Sequence, residues 1–196
     1  MDFQKTITKE DIAMMPREVF PGKIIVVDNK TELTKALSYL SSFAEIGFDT
    51  ETRPCFTKNT YHKMSLIQLS GNHTCFLIRL NKFNSIPRKL VSFLNNQKIK
   101  KIGLSLRDDF NGLNRLVKIY PDSFIDLQTF VSRFGIEELG LQKIYAILFN
   151  KKISKSKQKS NWDSAFLTKP QMHYAALDAW SCLRIYQFLN NQNEQL

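Results

Sequence analysis

The chain has 196 residues, 43% of them apolar, which is the size and composition of an ordinary globular domain with a substantial core. Its 28 Lys and Arg outnumber its 18 Asp and Glu, and the net charge of +10 favours a polyanionic partner such as nucleic acid. Three Cys without a CxxC pair and the lack of a long apolar run exclude a disulfide scaffold, a zinc site and a membrane span, and favour a reducing, cytoplasmic setting.

Residues 1–23 are predicted to form an arm or a short packing segment, outside a domain that spans residues 24–196. This segment contains Pro16 and Pro21 and lacks the apolar stretch of a secretory signal. The sequence has no internal repeat and no linker long enough to divide it, so we expect one domain.

Beyond the arm, apolar runs predict strands, and apolar residues at helical spacing predict helices. The expected order is strand 24–27, helix 33–40, strand 46–51, strands 64–70 and 74–80 as a hairpin, helix 87–95, strand 100–104, helix 107–119, strand 124–127 and helices 128–134, 139–149 and 170–189. Capping boxes are expected at Asn29–Glu32 and Thr168–Gln171. An antiparallel three-strand start followed by β-α-β units predicts an α/β domain with a mixed five- or six-stranded sheet and helices on both faces.

The strand at 46–51 ends in two carboxylates, Asp49 and Glu51. Side chains alternate along a strand, so these two point to the same face. At ~4 Å and an effective dielectric near 20, their repulsion would cost roughly 4 kcal/mol. Oxygen-only ligands favour a hard cation such as Mg²⁺ or Mn²⁺ between them. The pair therefore indicates a metal-dependent enzyme that acts on phosphates.

A second acidic pair, Asp108 and Asp109, follows the strand at 100–104. Helical phase places Asp109 on the face of Leu113 and Leu116, whereas Asp108 shares its face with polar residues. Asp109 is therefore the one that we expect to reach a buried site. The alternative is that both residues only cap the helix and offset its dipole.

The final helix carries Tyr174 and Asp178, which lie four residues apart and hence on one face. The small side chains of Ala175, Ala176 and Ala179 permit close packing of this helix. For an isolated pair with this spacing, the alternative is a Tyr at the edge of the core and an Asp at the surface.

Other polar residues support weaker predictions. Asp126 is expected only to cap a helix. The histidines are not spaced as a metal-binding pair, and no GxGxxG or P-loop indicates a nucleotide cofactor. The Lys-rich loop at 150–161 is either solvated like charge or a phosphate-binding loop, with Lys157 and Lys159 as candidates. Trp162 beside it would either stack on a base or anchor the core.

Together these motifs resemble those of the DEDD superfamily of 3′–5′ exonucleases, in the subgroup with a Tyr in its third motif. The chain is similar to the Werner-type exonuclease domain and, more distantly, to ribonuclease D, over roughly residues 24–189. Each motif alone is weak, whereas the set in this order is specific. The matching segments are 47–51, 65–69, 101–109 and 160–162, followed by Gln171, 174–176, 178–179 and Tyr186.

The resemblance implies a ribonuclease H-like fold and two divalent cations, Mg²⁺ or Mn²⁺. It implies that Asp49, Glu51 and Asp178 bind one ion. Asp49 would also bind the second ion, with Asp109 holding it largely through water, and Tyr174 would orient the attacking water. The candidate nucleic-acid contacts are Thr50, Lys157, Lys159 and Trp162. Arg53 and Cys55 depart from the Werner-type pattern and leave the shape of the terminal-nucleotide pocket open.

The leading hypothesis is a 3′–5′ exonuclease that acts on nucleic acid with a free 3′ end, DNA more than RNA, and releases nucleoside 5′-monophosphates without a membrane partner. One alternative is a catalytically inactive nucleic-acid-binding module with the same fold, which would bind without metal and yield no product. Another is a protein-interaction module, which would show no salt-dependent affinity for an oligonucleotide.

Overall fold

Six strands form one mixed sheet in the computed structural model, which describes residues 3–55 and 62–193. The strands are β1 (Lys23–Val27), β2 (Glu45–Thr52), β3 (Met64–Ser70), β4 (Thr74–Arg79), β5 (Lys100–Gly103) and β6 (Phe124–Asp126). Their order is β1-β4-β3-β2-β5-β6, in which β3 is antiparallel to both neighbours and the other pairings are parallel. The predicted mixed sheet is confirmed, and β1 joins it as a parallel neighbour of β4.

Helices cover both faces of the sheet, as predicted. They are α1 (Lys9–Met14), α2 (Lys30–Leu40), α3 (Arg88–Leu94), α4 (Arg107–Asn114), α5 (Leu127–Ser132), α6 (Leu141–Phe149) and α7 (Lys169–Asn193). Side chains of α2, α3 and α4 pack on one face, and those of α5, α6 and α7 pack on the other. Across the described ranges, no helix combines the length and the apolar character that a membrane crossing requires.

The capping box of α7 is confirmed, and that of α2 is made in part. Thr168 N donates to Gln171 Oε1 at 3.0 Å, and Gln171 N donates to Thr168 Oγ1 at 3.4 Å. In α2, Asn29 Oδ1 accepts from Glu32 N at 3.0 Å. The Glu32 carboxylate, however, accepts from Asp28 N instead of Asn29 N.

Helix α4 is shorter than predicted, because it ends at Asn114 and not at residue 119. The amides of Leu116 and Val117 both donate to the Leu113 carbonyl, which closes the last turn. Asn114 Oδ1 then accepts from Ile119 N at 2.9 Å, which gives this backbone amide beyond the helix a hydrogen-bond partner. A side chain that bonds the backbone in this way competes with helix continuation.

The strands β1, β2, β4, β5 and β6 run in one direction, so their C-terminal ends share one edge of the sheet. Asp49 and Glu51 lie towards that end of β2, and α4 begins four residues after β5. The sheet edge thus brings the first two acidic motifs together.

Candidate active site

Three carboxylates meet at the C-terminal part of β2. Asp49 and Glu51 on β2 and Asp178 on α7 each offer an oxygen atom, and these atoms lie within 4.8 Å of one another. The common face of Asp49 and Glu51 follows from strand alternation, as predicted. Helix α7 crosses that face and adds the third carboxylate.

The approach of α7 to β2 depends on small residues in both elements. A Cβ atom on Gly47 would lie 1.9 Å from the carbonyl oxygen of Ala179, so only glycine fits there. Ala175, Ala176 and Ala179 are fully buried. Larger side chains at this contact would separate Asp178 from the strand.

Asp109 lies beside this group of three and is not part of it, although its charge raises the pKa of Asp49 and Glu51. Strand alternation points the Thr50 side chain away from that of Asp49. The Thr50 hydroxyl donates a hydrogen bond to Asp109 Oδ1. Asp108 is exposed, in agreement with the helical phase. The Thr50 hydroxyl thus fixes the Asp109 carboxylate, and a contact of Thr50 with nucleic acid stays a prediction.

The turn that leads into α4 is held by Asp126, whose part here the sequence reasoning missed. Its carboxylate caps α5 through Gln128 N at 2.9 Å, as predicted. It also accepts from Ser105 N at 3.0 Å and Leu106 N at 2.9 Å. Ser105 has a left-handed backbone, with a φ of 58°. The sequence carries no signal for this second role, because it depends on the pairing of Asp126 with Gly103 on neighbouring parallel strands.

Burial raises the pKa of all four carboxyl groups. For Asp49 and Glu51, repulsion from neighbouring carboxylates raises the pKa further, and Asp109 contributes to both. The pKa of Asp178 rises to about 7 despite a hydrogen bond from Tyr174 and the positive charge of Lys155. That of Asp109 rises to about 6. Without positive charge, the site therefore retains protons near neutral pH.

The donor set fits hard divalent cations. Carboxylate oxygens of Asp49, Glu51 and Asp178 lie close enough to share an ion, and Asp109 is near enough to raise the pKa of two of them. Mg²⁺ and Mn²⁺ prefer oxygen ligands of this type. A cation would also remove the mutual repulsion that keeps these groups protonated.

Tyr174 lies against the cluster, and Trp162 lies behind it. The Tyr174 hydroxyl donates to Asp178, and its ring centroid is 6.0 Å from that of Trp162. Trp162 is only 1% exposed. The proposed stacking of Trp162 on a base is therefore wrong in this structure, and the alternative of a core anchor holds.

A cavity of about 300 Å³ opens over the carboxylates and is walled by the Lys-rich loop. Ser154, Lys155 and Gln158 line it, whereas Lys157 and Lys159, the predicted contacts, do not. Two further lysines of this loop have other partners. Lys151 pairs with Glu18 at 3.1 Å, and Lys152 donates to the Ala13 carbonyl at 2.5 Å. Lys155 is thus the loop lysine that reaches the cavity.

Comparison with known proteins gives a family match and several relatives. A 3′–5′ exonuclease family model matches residues 24–194. The mouse (Mus musculus) bifunctional 3′–5′ exonuclease/ATP-dependent helicase WRN is 29% identical over 198 aligned residues, which cover 96% of this chain and 14% of that protein. Ribonuclease D of Haemophilus influenzae is 27% identical over 187 residues, covering 94% and 46%. This chain thus spans less than half of either relative.

Solved structures show the same architecture. The Nibbler EXO domain of Aedes aegypti superposes with a TM-score of 0.77 at 28% identity, covering 88% of this chain and 89% of that one. Escherichia coli RNase D superposes with a TM-score of 0.78 at 23% identity, covering 88% and 46%. These similarities confirm the ribonuclease H-like fold.

Proposed function

This chain belongs to the 3′–5′ exonuclease family, and we propose that it uses two divalent cations to hydrolyse the 3′-terminal phosphodiester of a nucleic acid. The products would be nucleoside 5′-monophosphates. The observation that carries the proposal is the cluster of Asp49, Glu51 and Asp178 within 4.8 Å in an open cavity. Asp109 lies beside that cluster. This chain spans less than half of the length of these relatives, so exonuclease activity of the whole protein is part of what we propose.

The carboxylates would divide the cations between them. We assign one ion to Asp49, Glu51 and Asp178, and the second to Asp49 and Asp109. Bound Mg²⁺ or Mn²⁺ would neutralise charge on the phosphate and lower the pKa of water. The chain's own contribution is to hold these groups in place, through the packing of α7 on β2 and the hydrogen bond from Thr50 to Asp109.

Tyr174 is the group that we propose to orient the attacking water. Burial and the neighbouring carboxylates raise its pKa, so its hydroxyl stays protonated at neutral pH. It can therefore donate or accept a hydrogen bond and hold a water molecule in position. Lys155, on the cavity wall, is available for a phosphate oxygen.

We propose DNA as the favoured substrate, because the sequence motifs are similar to the Werner-type domain. RNA is the second candidate, and the ribonuclease D relative supports it. A protein tells the two apart through contacts to the 2′-hydroxyl. The cytoplasmic setting expected from the cysteines likewise stays a prediction.

The test uses 5′-labelled DNA and RNA oligonucleotides of matched sequence, with Mg²⁺, with Mn²⁺ or with EDTA. We expect shortening from the 3′ end that EDTA abolishes. Asp109→Asn should lower kcat by about 100-fold or more, because a carboxylate at the cation site is lost. Asp108→Asn is the matched control, since Asp108 is exposed and should change kcat little.

Degradation that persists in EDTA or in Asp49→Asn would overturn the proposal. Binding that needs no metal, together with no product in either metal, would instead indicate the inactive nucleic-acid-binding module.

A further inference from the structure

The N-terminal segment forms one wall of a second groove beside the candidate active site. This groove has a volume of about 660 Å³ and lies between residues 17–20, Ser154 and the first half of α7. It shares Tyr174 and Ser154 with the carboxylate cavity, so the two adjoin. Residues 17–20 precede the region that the exonuclease family model matches.

Backbone hydrogen bonds hold this wall in place. Glu18 N donates to the Lys152 carbonyl at 2.9 Å, and Lys152 N donates to the Pro16 carbonyl at 3.0 Å. The buried Glu18 carboxylate accepts from Arg184 at 2.7 Å and pairs with Lys151 at 3.1 Å. Glu18 is the acid among the described residues that line the groove, and these two cations neutralise it.

The remaining lining combines cations, polar groups and an apolar floor, and Ser156, Pro170 and His173 belong to it. Arg17 and Lys169 are exposed, and no carboxylate of the described residues forms a salt bridge with either. Phe20 and Leu177 are buried in the floor, and Val19 is 60% exposed. Cations beside an apolar surface suit a nucleic acid strand, which presents phosphates next to sugars and bases.

We propose that this groove binds the substrate strand just upstream of its 3′ end, with Arg17 and Lys169 on its phosphates and Val19 against a sugar or base. The inference rests on the proposed function and extends it to Arg17 and Val19, which lie outside the family match. A strand whose last nucleotide lies at the carboxylates must leave along an adjoining surface, and this groove adjoins them through Tyr174. Its positive rim is complementary to the charge of that strand.

The test measures binding of a 5′-fluorescein dodecanucleotide by anisotropy in EDTA, at several salt concentrations. Arg17→Ala/Lys169→Ala should raise Kd about 3- to 10-fold, the loss expected for two exposed ionic contacts. The slope of log Kd against log salt should fall by about 1.4, because each single-strand phosphate contact contributes about 0.7. Val19→Glu, which adds an anion to the groove, should also raise Kd.

The matched control is Lys9→Ala/Lys35→Ala, which removes the same charge from exposed positions outside the groove. A turnover assay adds the p-nitrophenyl ester of thymidine 5′-monophosphate, in which nitrophenol replaces the upstream strand. In Mg²⁺ or Mn²⁺, kcat/KM is measured for the dodecanucleotide and for the ester. The ratio of the first value to the second should fall about 3- to 10-fold in Arg17→Ala/Lys169→Ala and should stay unchanged in the control.

An unchanged Kd and salt slope, or equal changes in the two double variants, would overturn the groove assignment while leaving the exonuclease proposal intact. If the wild type hydrolyses neither substrate in either metal but the groove variant still binds more weakly than the control, the exonuclease proposal fails and the groove assignment stands.

Discussion

Single carboxyl groups set the charge of the candidate site. Burial raises the pKa of Asp49 and Glu51, and the other carboxylates raise it further. The folded protein therefore binds protons at this site that the unfolded chain releases. A raised carboxyl pKa means that the free energy of unfolding falls as pH rises, from the unfolded pKa near 4 up to the raised value. For Asp178 that upper limit is about 7.

We expect Asp49→Asn to weaken this pH dependence in metal-free protein. Wild type in EDTA should lose stability between about pH 4 and pH 7 as the site is forced to ionise, whereas the neutral amide removes one of the repelling charges. At pH 7 the variant should melt at least about 2–4 °C above wild type, which corresponds to about 1 kcal/mol for a chain of this size. Thermal unfolding in EDTA at pH 5, 6 and 7 measures the difference.

Asp108→Asn is the control, because Asp108 is exposed. Adding Mg²⁺ or Mn²⁺ should stabilise wild type more than Asp49→Asn at pH 7, since a ligand that binds only the folded state stabilises it. A melting temperature with the same pH slope in wild type and Asp49→Asn would contradict this account.

At the scale of elements, the contact between β2 and α7 assembles the site. Glycine and alanine bring the two backbones together, and the closeness of Asp178 to the two acids of β2 depends on this spacing. The other element, α4, is connected through the hydrogen bond from Thr50 and the turn held by Asp126. Each acidic motif thus has its own structural support.

Gly47→Ala should destabilise the fold and impair the site together. Its Cβ atom would meet backbone, which cannot move aside as a side chain can, so we expect a loss of about 3 kcal/mol or more. Displacement of α7 should also lower kcat at least about 10-fold, because Asp178 would move with it. Urea unfolding and the oligonucleotide assay measure the two effects.

Gly71→Ala is the matched control, since the nearest atom to its added Cβ is a ring carbon of Phe43 at 3.4 Å, an ordinary contact, and Gly71 does not line the carboxylate cavity. It should change stability by less than about 1 kcal/mol. Equal losses in the two variants would show that the contact of β2 with α7 is not tight.

At the scale of the whole molecule, the N-terminal segment is packed onto the sheet domain. Phe20 is buried, with its ring centroid 5.8 Å from that of Trp180. Glu18 joins the segment to α6 through Tyr145 and to α7 through Arg184. Of the two predicted forms of residues 1–23, arm or packing segment, the structure shows the second for the described residues. The domain boundary at residue 24 stays a prediction.

Glu18→Ala should lower the free energy of unfolding by about 2 kcal/mol. It leaves the cations of Arg184 and Lys151, and the hydroxyl of Tyr145, without their buried acceptor. Urea unfolding measures the loss. Glu137→Ala removes an exposed ion pair with Lys5 at 3.2 Å and should stay within about 0.5 kcal/mol. If the two variants were equally stable, the contacts of Glu18 would contribute nothing to folding.

The sequence by itself determined which residues share a face. Strand alternation put Asp49 beside Glu51, and helical spacing put Tyr174 beside Asp178 and turned Asp109, not Asp108, inward. These conclusions needed no knowledge of the fold, because the backbone repeat within one strand or helix fixes the direction of each side chain. For the same reason the strands and most helices were predicted near their observed bounds.

Only the tertiary structure decided which faces meet. Trp162 is buried and packs beside Tyr174, and Lys155 lines the cavity whereas Lys151 and Lys152 are bound to the N-terminal segment. Asp126 holds the turn before α4 because β5 and β6 are neighbours. Such contacts join residues far apart in the chain, and their choice depends on how all the elements pack, which no local repeat encodes.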